Sequence, residues 1–282
     1  SWTHDQGRLA IDKALGSAVK TSFVENVAEG PDAERVIRQL VQAGNKLIFT
    51  TSFGFMNPTA RVAKQFPNAW FEHATGYVRD ANLATYNARF YEGRAVIGTI
   101  AGHMSKSGQA GYIASFPIPE VVMGINAFTL AARKVNPNFR TRVIWASTWY
   151  DPAKEADAAK ALIDQGCDMI TQHTDSPAAL QAAEQRGVFA FGQASDMSRF
   201  APKAHLTAIV DDWSQYYIDR TKLAIAGQWK TGDVWGGIKD GFVKIAPYNA
   251  AIPENVRKAA DAVKDGIVAG TMHPITGPVK DN

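Results

Sequence analysis

The sequence predicts an α/β protein built on parallel sheets with helices on both faces, and three observations support that fold class. Short apolar runs alternate with longer amphipathic segments along most of the chain. Several amphipathic segments begin at proline, as in Asn57-Pro58 and Asp151-Pro152, where the first helical residue needs no amide hydrogen. Strand–helix alternation of this length is typical of parallel sheets, because parallel strands need crossover connections.

The apolar spacing places each element in turn. Between Ala33 and Val41, apolar residues recur at the spacing of one helix face, and Gly44 ends that helix. A second helix begins at Asn57-Pro58, and further helices are predicted over 86–103, 119–135, 152–165 and 177–186. Strands are predicted over 47–49, 70–72, 112–114, 143–146, 169–171, 188–191 and 206–210.

The composition indicates a packed globular protein with about two domains. The chain has 282 residues, of which 46% are hydrophobic and 20% charged, and domains of roughly 150 residues are usual. No linker rich in proline or serine divides the chain. We therefore expect two lobes joined by several short crossings.

The charges and the single cysteine exclude several classes of function. Thirty Lys and Arg residues against 27 Asp and Glu give a net charge of +3 without blocks of like charge, so neither nucleic acid nor a polybasic membrane surface is an expected partner. No apolar run reaches the roughly 18 residues of a membrane-spanning helix. Cys167 stands alone, which excludes an intramolecular disulfide and a multi-cysteine metal site.

The residues that follow the predicted strands are candidates for a ligand site, because open parallel sheets bind ligands outside the carboxyl ends of their strands. Most of these segments combine large aromatic rings with hydrogen-bonding groups. They include Ser52, Phe53, Phe55, Ser115, Phe116, Glu120, Trp149, Tyr150, Asp151, His173, Asp175, Ser176, Gln193, Asp196, Asp211, Asp212 and Trp213.

The aromatic candidates and the helix starts have plain structural interpretations that must be weighed. Asp151 and Ser176 each precede a proline and are interpreted as helix N-caps. Phe116, like Phe53, fits the core as well as a ligand surface. Trp149 and Tyr150 favour a ligand role, because two adjacent large rings in a strand-to-helix loop cannot both face the core without strain.

The polar candidates leave more than one interpretation open. His173 with Asp175 is compatible with catalysis or metal binding, but a second histidine at metal spacing is missing. Asp196 either caps the next turn or accepts hydrogen bonds from ligand hydroxyls.

Enzyme and cofactor motifs are absent from the sequence. It contains no phosphate-binding G-x-x-x-x-G-K-[ST] loop, no G-x-G-x-x-G, no G-x-S-x-G and no H-E-x-x-H. The six histidines form no recognisable triad. The inventory therefore favours a pocket that binds a flat polar ligand without reacting with it, and it predicts no cofactor.

Four segments of the chain carry a recognisable pattern: FTTSFGFM at 49–56, FEHATG at 71–76, YNARFYEG at 86–93 and QHTDSP at 172–177. They resemble the basic membrane protein family, whose members are substrate-binding proteins of ABC transporters and often bind purine nucleosides or bases. The resemblance implies the type I periplasmic-binding-protein fold, with two doubly wound parallel-sheet lobes, three crossings and a ligand cleft between the lobes. Lobe I would comprise 1–114 and 211–233, and lobe II 115–210 and 234–282.

The resemblance also implies roles for individual residues. Trp2 matches a ring that stacks on one face of the base, and Trp149 or Tyr150 matches the ring on the other face. Asp196, in the segment GQASD, matches an aspartate that binds ribose hydroxyls. His173 and Asp175 would then face the polar edge of the base. The further candidate ligand residues are His4, Ser52, Phe53, Phe116, Glu120 and Trp213.

Two departures from the family pattern qualify these expectations. Nucleoside-binding members often carry a lysine where this chain reads Asp211-Asp212-Trp213, so a free purine base is expected at least as readily as a nucleoside. The family has a strand directly before the Ser1-Trp2 position, central in lobe I, and relatives often continue beyond the last residues of this chain. We therefore expect the natural chain to be longer.

The resulting hypothesis is an exported periplasmic protein that acts as a monomer and delivers a purine base or nucleoside to an ABC permease. Two alternatives stay open. One is a nucleoside-processing enzyme with Asp196 or His173 as an acid–base group. The other is a ligand-sensing module that docks on a receptor.

Overall fold

The computed structural model describes residues 2–277. The helices are α1 (Trp2–Leu15), α2 (Pro31–Gln42), α3 (Met56–Gln65), α4 (Phe90–Met104), α5 (Pro119–Val135), α6 (Pro152–Asp164), α7 (Ala178–Gln185), α8 (Ser214–Ile225) and α9 (Glu254–Ala269). The strands are β1 (Leu47–Thr50), β2 (Trp70–Ala74), β3 (Leu83–Ala88), β4 (Gln109–Ala114), β5 (Arg140–Trp145), β6 (Met169–Gln172), β7 (Phe189–Gly192), β8 (His205–Asp211), β9 (Asp233–Gly236) and β10 (Val243–Ile245). The predicted α/β class is confirmed.

The chain divides into two compact units. Unit 1 holds the described residues of Ser1–Ala88 and Asp212–Gly236, and unit 2 holds those of Arg89–Asp211 and Gly237–Asn282. The division after Ala88 differs from the boundary at residue 114 that the sequence suggested. The reason is that α4 packs on α5 and that β4 pairs with β5 and β6, so both elements belong to unit 2. Ser1 and 278–282, at the ends of the predicted lobes, lie outside the described residues.

Unit 1 contains a parallel sheet in the order β1-β2-β3-β9. Its core packs Ile37 of α2 and Val62 of α3 against Ile48 and Phe71 of the sheet. The helix predicted over 86–103 is wrong at its start, because Tyr86 lies in β3 and pairs with both neighbouring strands. The helix α4 begins only at Phe90.

Unit 2 contains a larger sheet in the order β10-β8-β7-β6-β4-β5, parallel except for β10. Helices α6 and α7 bury Leu162 and Leu180 against Ile113 and Ile170 of the sheet. Helix α4 approaches α5 so closely that a side chain on Gly98 would collide with the carbonyl oxygen of Phe128. Because the inner strands are parallel, the carboxyl ends of β4, β6, β7 and β8 meet at one edge of the sheet.

Candidate functional site

The carboxyl edge of the sheet in unit 2 gathers buried polar atoms that have no hydrogen-bond partner among the described residues, 2–277. They are the Ser115 hydroxyl after β4, Nδ1 of His173 after β6 and Oδ1 of Asp211 at the end of β8. A buried polar atom without a partner costs about 1–3 kcal/mol. This edge is therefore suited to a ligand that supplies donors and acceptors.

Four aromatic side chains line the same edge, and we call them the ring cluster: Phe90, Phe116, Trp149 and His173. The Trp149 ring lies 5.3 Å from that of Phe116 and 6.1 Å from that of His173, measured between centroids. Phe90 lies 5.6 Å from His173. Trp149 and Phe116 are each partly exposed, which leaves ring surface for stacking on a flat ligand.

A buried carboxylate positions the two loops that carry Trp149 and His173. Glu155 of α6 is fully buried and accepts hydrogen bonds from the backbone N–H groups of Asp151, at 3.0 Å, and Ser176, at 3.1 Å. Burial raises the pKa of Glu155 above its usual value, although these hydrogen bonds oppose the shift. The backbone N–H of Asp175 also donates to the Trp149 carbonyl at 2.8 Å. The loops after β5 and β6 are therefore held as one unit.

One of the two predicted N-caps is found at these helix starts. Asp151 is the N-cap of α6 and accepts a hydrogen bond from the backbone N–H of Lys154 at 3.1 Å. The prediction for Ser176 is wrong, because α7 begins one residue later and its N-cap is Pro177. The Ser176 hydroxyl still accepts a hydrogen bond from the N–H of Ala178, the first residue of α7, at 3.2 Å.

Two non-glycine residues at this edge have left-handed backbone conformations. Ser147, in the loop after β5, has a φ of 53°, and Ala194, after β7, has a φ of 58°. Such conformations are strained for residues with a β-carbon, and they cluster at functional sites. Both loops also carry candidate ligand residues.

Two carboxyl groups, those of Glu120 and Asp211, lie at this edge. Glu120 Oε1 of α5 lies 3.7 Å from His173 Nε2. Burial and the nearby charge of Glu120 raise the pKa of Asp211 well above its usual value. The site therefore favours the protonated form of Asp211 more than water does, and a protonated carboxyl both donates and accepts hydrogen bonds.

Asp196 and Tyr150 differ from the other candidates of unit 2. Asp196 accepts from the backbone N–H of Ser198 at 2.9 Å, which confirms the turn-cap interpretation. Although partial burial favours its neutral form, this hydrogen bond and nearby His205 hold the pKa of Asp196 below its usual value. Tyr150 is 63% exposed and lies outside the ring cluster.

The candidate ligand residues of unit 1 lie in different local environments. The His4 ring stacks on Trp213 at 5.1 Å, and its Nδ1 is 2.7 Å from the Tyr217 hydroxyl. Trp2, the first residue of α1, is 60% exposed. The Ser52 hydroxyl donates to Glu29 at 2.6 Å, and Phe53 is partly buried in a short 3₁₀ turn. The expected stacking of Trp2 and Trp149 on one base joins residues of different units and stays a prediction.

The sequence interpretation missed two residues of the edge that belong to α4. Phe90 joins the ring cluster, and Arg94 is fully buried behind it. The available signal was an arginine directly before a mainly apolar helical run, from Ala95 to Ala101. Burial of such a charge requires a dedicated set of partners.

Metal binding finds no support in the part of the chain that the structure describes. Among residues 2–277, no three or more His, Cys, Asp and Glu side chains are grouped to hold a metal ion. That His173 and Asp175 face the polar edge of a bound base stays a prediction.

Comparison with known proteins shows a consistent set of relatives. Residues 2–272 match the Bmp family, described as ABC transporter substrate-binding protein, PnrA-like. The chain is 59% identical over 281 residues to the purine-binding protein BAB2_0673 of Brucella abortus (strain 2308), covering 99% of this chain and 80% of that protein. It is 38% identical over 268 residues to the putative ABC transporter glucose-binding protein TsgA13 of Haloferax volcanii, covering 95% and 68%.

Solved structures share the fold at low sequence identity. A transcriptional activator of the comK gene from Bacillus halodurans gives a TM-score of 0.80 at 22% identity, covering 97% of this chain and 95% of the other. An ABC transporter solute-binding protein from Aeropyrum pernix K1 gives 0.78 at 18% identity, covering 95% and 87%. These likenesses confirm the periplasmic-binding-protein type of fold.

Within residues 2–277, no helix combines the length and the apolar character needed to cross a bilayer.

Two comparisons decide the family of the protein. They are the family match over 2–272 and the 59% identity to a relative of which 80% is covered. The chain belongs to the Bmp family of PnrA-like ABC transporter substrate-binding proteins.

Proposed function

We propose that this protein binds a purine at the carboxyl edge of the sheet in unit 2 and delivers it to an ABC permease. The observation that carries the proposal is the meeting of the ring cluster with unpartnered polar atoms from three strand ends. A purine is flat and carries donors and acceptors on its edge, so it uses both features. The printed name of the 59% identical relative, a purine-binding protein, supports the same ligand class.

Within this proposal, a free base suits the site better than a nucleoside. Asp196, the expected ribose-binding residue, uses Oδ1 to cap the turn at Ser198. Asp211 lies in the segment where nucleoside-binding members often carry a lysine, and its Oδ1 has no hydrogen-bond partner in the described part of the chain. Trp149 and Phe116 supply the stacking surface, while His173, Glu120 and Asp211 would contact the edge of the base.

Binding without turnover is part of the proposal. The pKa of Asp196 lies below its usual value, so near neutral pH its carboxylate has no proton to give to a leaving base. As family members are extracytoplasmic proteins, we propose a periplasmic location and action as a monomer with the permease as partner.

Calorimetric titration of the purified protein tests the proposal, with adenine, adenosine and glucose as separate ligands. Glucose is included because of the name of the 38% identical relative. We expect adenine to bind most tightly and glucose to give no heat. Trp149→Ala should weaken adenine binding by about 1–3 kcal/mol, the usual contribution of one stacking ring.

The matched control is Trp145→Ala, because Trp145 lies on the edge strand β5 of the same unit and is 41% exposed. This variant should bind adenine as the unchanged protein does. Saturable binding of glucose without any purine would overturn the proposed ligand class. Release of free base from adenosine at catalytic protein concentrations, followed by chromatography, would overturn the non-enzymatic function.

A further inference from the structure

Arg94 of α4 is a buried cation whose hydrogen-bond partners are all neutral. It is fully buried, and its guanidinium donates to the Thr171 hydroxyl at 2.8 Å, to the Gln172 carbonyl at 2.7 Å and to Oε1 of Gln193 at 2.6 Å. The guanidinium carbon lies 4.9 Å and 5.0 Å from the ring centroids of Phe90 and Tyr112. Arg94 thus joins the carboxyl ends of β6 and β7 from behind the ring cluster.

The bond to Arg94 fixes the orientation of the Gln193 side-chain amide. An arginine carries only donors, so the atom of Gln193 that it contacts must be the carbonyl oxygen. The NH₂ group of Gln193 is then directed away from the guanidinium. Gln193 is only 4% exposed, and no acceptor for this NH₂ group is found among the residues that the structure describes.

The position of Gln193 places this donor at the proposed site. Gln193 directly follows β7, between the strand ends that carry His173 and Asp211. The next residue, Ala194, has the left-handed φ of 58°, and its carbonyl accepts from the N–H of Asp211 at 3.0 Å. The loop is therefore held tightly beside the unpartnered oxygen of Asp211.

The charge of Arg94 also strengthens the donor. A cation that binds the carbonyl oxygen of an amide draws electron density from the nitrogen, and linked hydrogen bonds reinforce one another in a medium of low polarity. The polarised N–H group of the amide needs an acceptor lone pair. A flat ligand offers such a lone pair in the plane of its ring, at an aromatic ring nitrogen.

We propose that Gln193 determines ligand specificity by donating a hydrogen bond to a ring nitrogen of the bound heteroaromatic base, with Arg94 as the positioning residue that fixes the amide. The inference rests on the proposed function and deepens it, because it adds a required acceptor atom to the ligand. A flat hydrocarbon of the same shape would not satisfy the site.

Titration with adenine and its 1-, 3- and 7-deaza analogues tests the proposal, because each analogue replaces one ring nitrogen by C–H. The unchanged protein should bind one analogue at least about tenfold more weakly than adenine, since a buried donor would lose its acceptor. The other two analogues should show no loss of affinity that changes when Gln193 is replaced.

Gln193→Glu is the decisive variant. It keeps the shape and the contact with Arg94, which becomes an ion pair, but it turns the outward donor into an acceptor. Adenine should bind at least about tenfold more weakly to this variant, and the selected deaza analogue should bind about as well as adenine. The matched control is Gln181→Glu on the exposed face of α7, which should keep the discrimination of the unchanged protein.

Arg94→Lys tests the positioning role. A single ammonium group cannot hold three acceptors in this geometry, so the amide of Gln193 becomes free to turn. The ratio of the two dissociation constants, deaza analogue over adenine, should fall towards one. A merely structural role of Arg94 would lower the melting temperature and leave that ratio unchanged.

The outcomes separate this inference from the proposed function. If adenine binds and Gln193→Glu keeps the analogue ratio of the unchanged protein, the role of Gln193 is overturned and the purine function stands. If the ratio changes in Gln193→Glu but not in Arg94→Lys, the positioning role of Arg94 is overturned. If no purine binds the unchanged protein, both proposals fail.

Discussion

The two units treat their buried polar groups differently. In unit 1, the Tyr217 hydroxyl lies 2.7 Å from His4 Nδ1 and 2.7 Å from the Tyr86 hydroxyl. Glu72, fully buried, accepts from Tyr216, from Arg220 and from the Trp229 indole. Each of these groups meets a partner within its own unit, whereas Nε2 of the buried His73 has no hydrogen-bond partner among residues 2–277.

In unit 2, by contrast, the strand ends leave Ser115, His173 and Asp211 with buried polar atoms that no group among residues 2–277 satisfies. Satisfied networks stabilise a fold, whereas unsatisfied ones are retained where a ligand completes them. Both units contain clusters of aromatic rings and histidines. The comparison therefore teaches that the hydrogen-bond partners of the polar atoms decide whether such a cluster stabilises the fold or binds a ligand. Substitutions in the network of unit 1 should lower stability first, and those in the ring cluster should lower affinity first.

The largest effect is expected at Glu72. Replacing Glu72 by Leu leaves Arg220, whose side chain is 12% exposed, without its carboxylate. Breaking a buried ion pair from one side costs about 3–5 kcal/mol, so the free energy of unfolding in urea should fall by that amount. The control is Glu254→Gln, because the Glu254–Lys258 pair is exposed and should change stability by less than about 1 kcal/mol. Equal losses of unfolding free energy in the two variants would show that the buried ion pair of Glu72 stabilises the fold no more than the exposed pair of Glu254 does.

The next effect concerns pH and His73. Burial lowers the pKa of His73 from 6.5 to about 4 in the folded chain, and its ring lies 2.8 Å from the Thr50 hydroxyl. Between these pH values the unfolded chain binds a proton that the folded chain does not. The contribution to stability is therefore complete above pH 6.5 and is lost as pH falls towards 4. The slope should be about 1.4 kcal/mol per pH unit, or about 3 kcal/mol in total.

Urea unfolding at several pH values measures this slope. His73→Asn should reduce it, since the titrating ring is gone. His103→Asn, at an exposed position near the end of α4, should leave it as it is. A slope that survives in His73→Asn would assign the acid sensitivity to other groups.

The smallest effect on stability and adenine affinity is expected at Asp196. The same variant distinguishes a free base from a nucleoside as the natural ligand. Asp196→Ala removes the cap on Ser198, so stability should fall by about 0.5–2 kcal/mol. Adenine affinity should stay within about twofold. Calorimetric titration with adenosine is the measurement that detects a contact between the ribose and Asp196. A large loss of adenosine affinity with adenine unchanged would mean that the ribose binds this carboxylate and that nucleosides are natural ligands.

Much of the fold could be predicted from the sequence because local signals and tertiary structure agree. Helix α5 was predicted over 119–135, the residues that it occupies, since proline marks its start and apolar residues follow at helical spacing. The strand β3 was missed because Tyr86-Asn87-Ala88 is a short segment directly before a helix. Its pairing with β2 and β9 comes from residues distant in sequence.

The site was predictable where a side chain follows a strand and not where it comes from a helix behind the sheet. Trp149, His173, Phe116 and Glu120 follow strands, and the structure brings them together. The role of Arg94 depends on three acceptors that lie 77 or more positions away. No local pattern encodes those contacts. The burial of the Trp213 ring against His4 depends in the same way on the packing of α1 on α8.

The central claim is that ligand recognition lies in the ring cluster of unit 2, while the hydroxyl network of unit 1 provides stability. The most direct measurement determines adenine affinity and the free energy of unfolding for Trp149→Ala and Tyr217→Phe side by side. Trp149→Ala should lose about five- to 150-fold in affinity with little loss of stability. Tyr217→Phe should lose about 1–3 kcal/mol of stability and keep its affinity within about twofold. Unchanged adenine affinity in Trp149→Ala, or an equal loss of affinity in a folded Tyr217→Phe, would contradict the account.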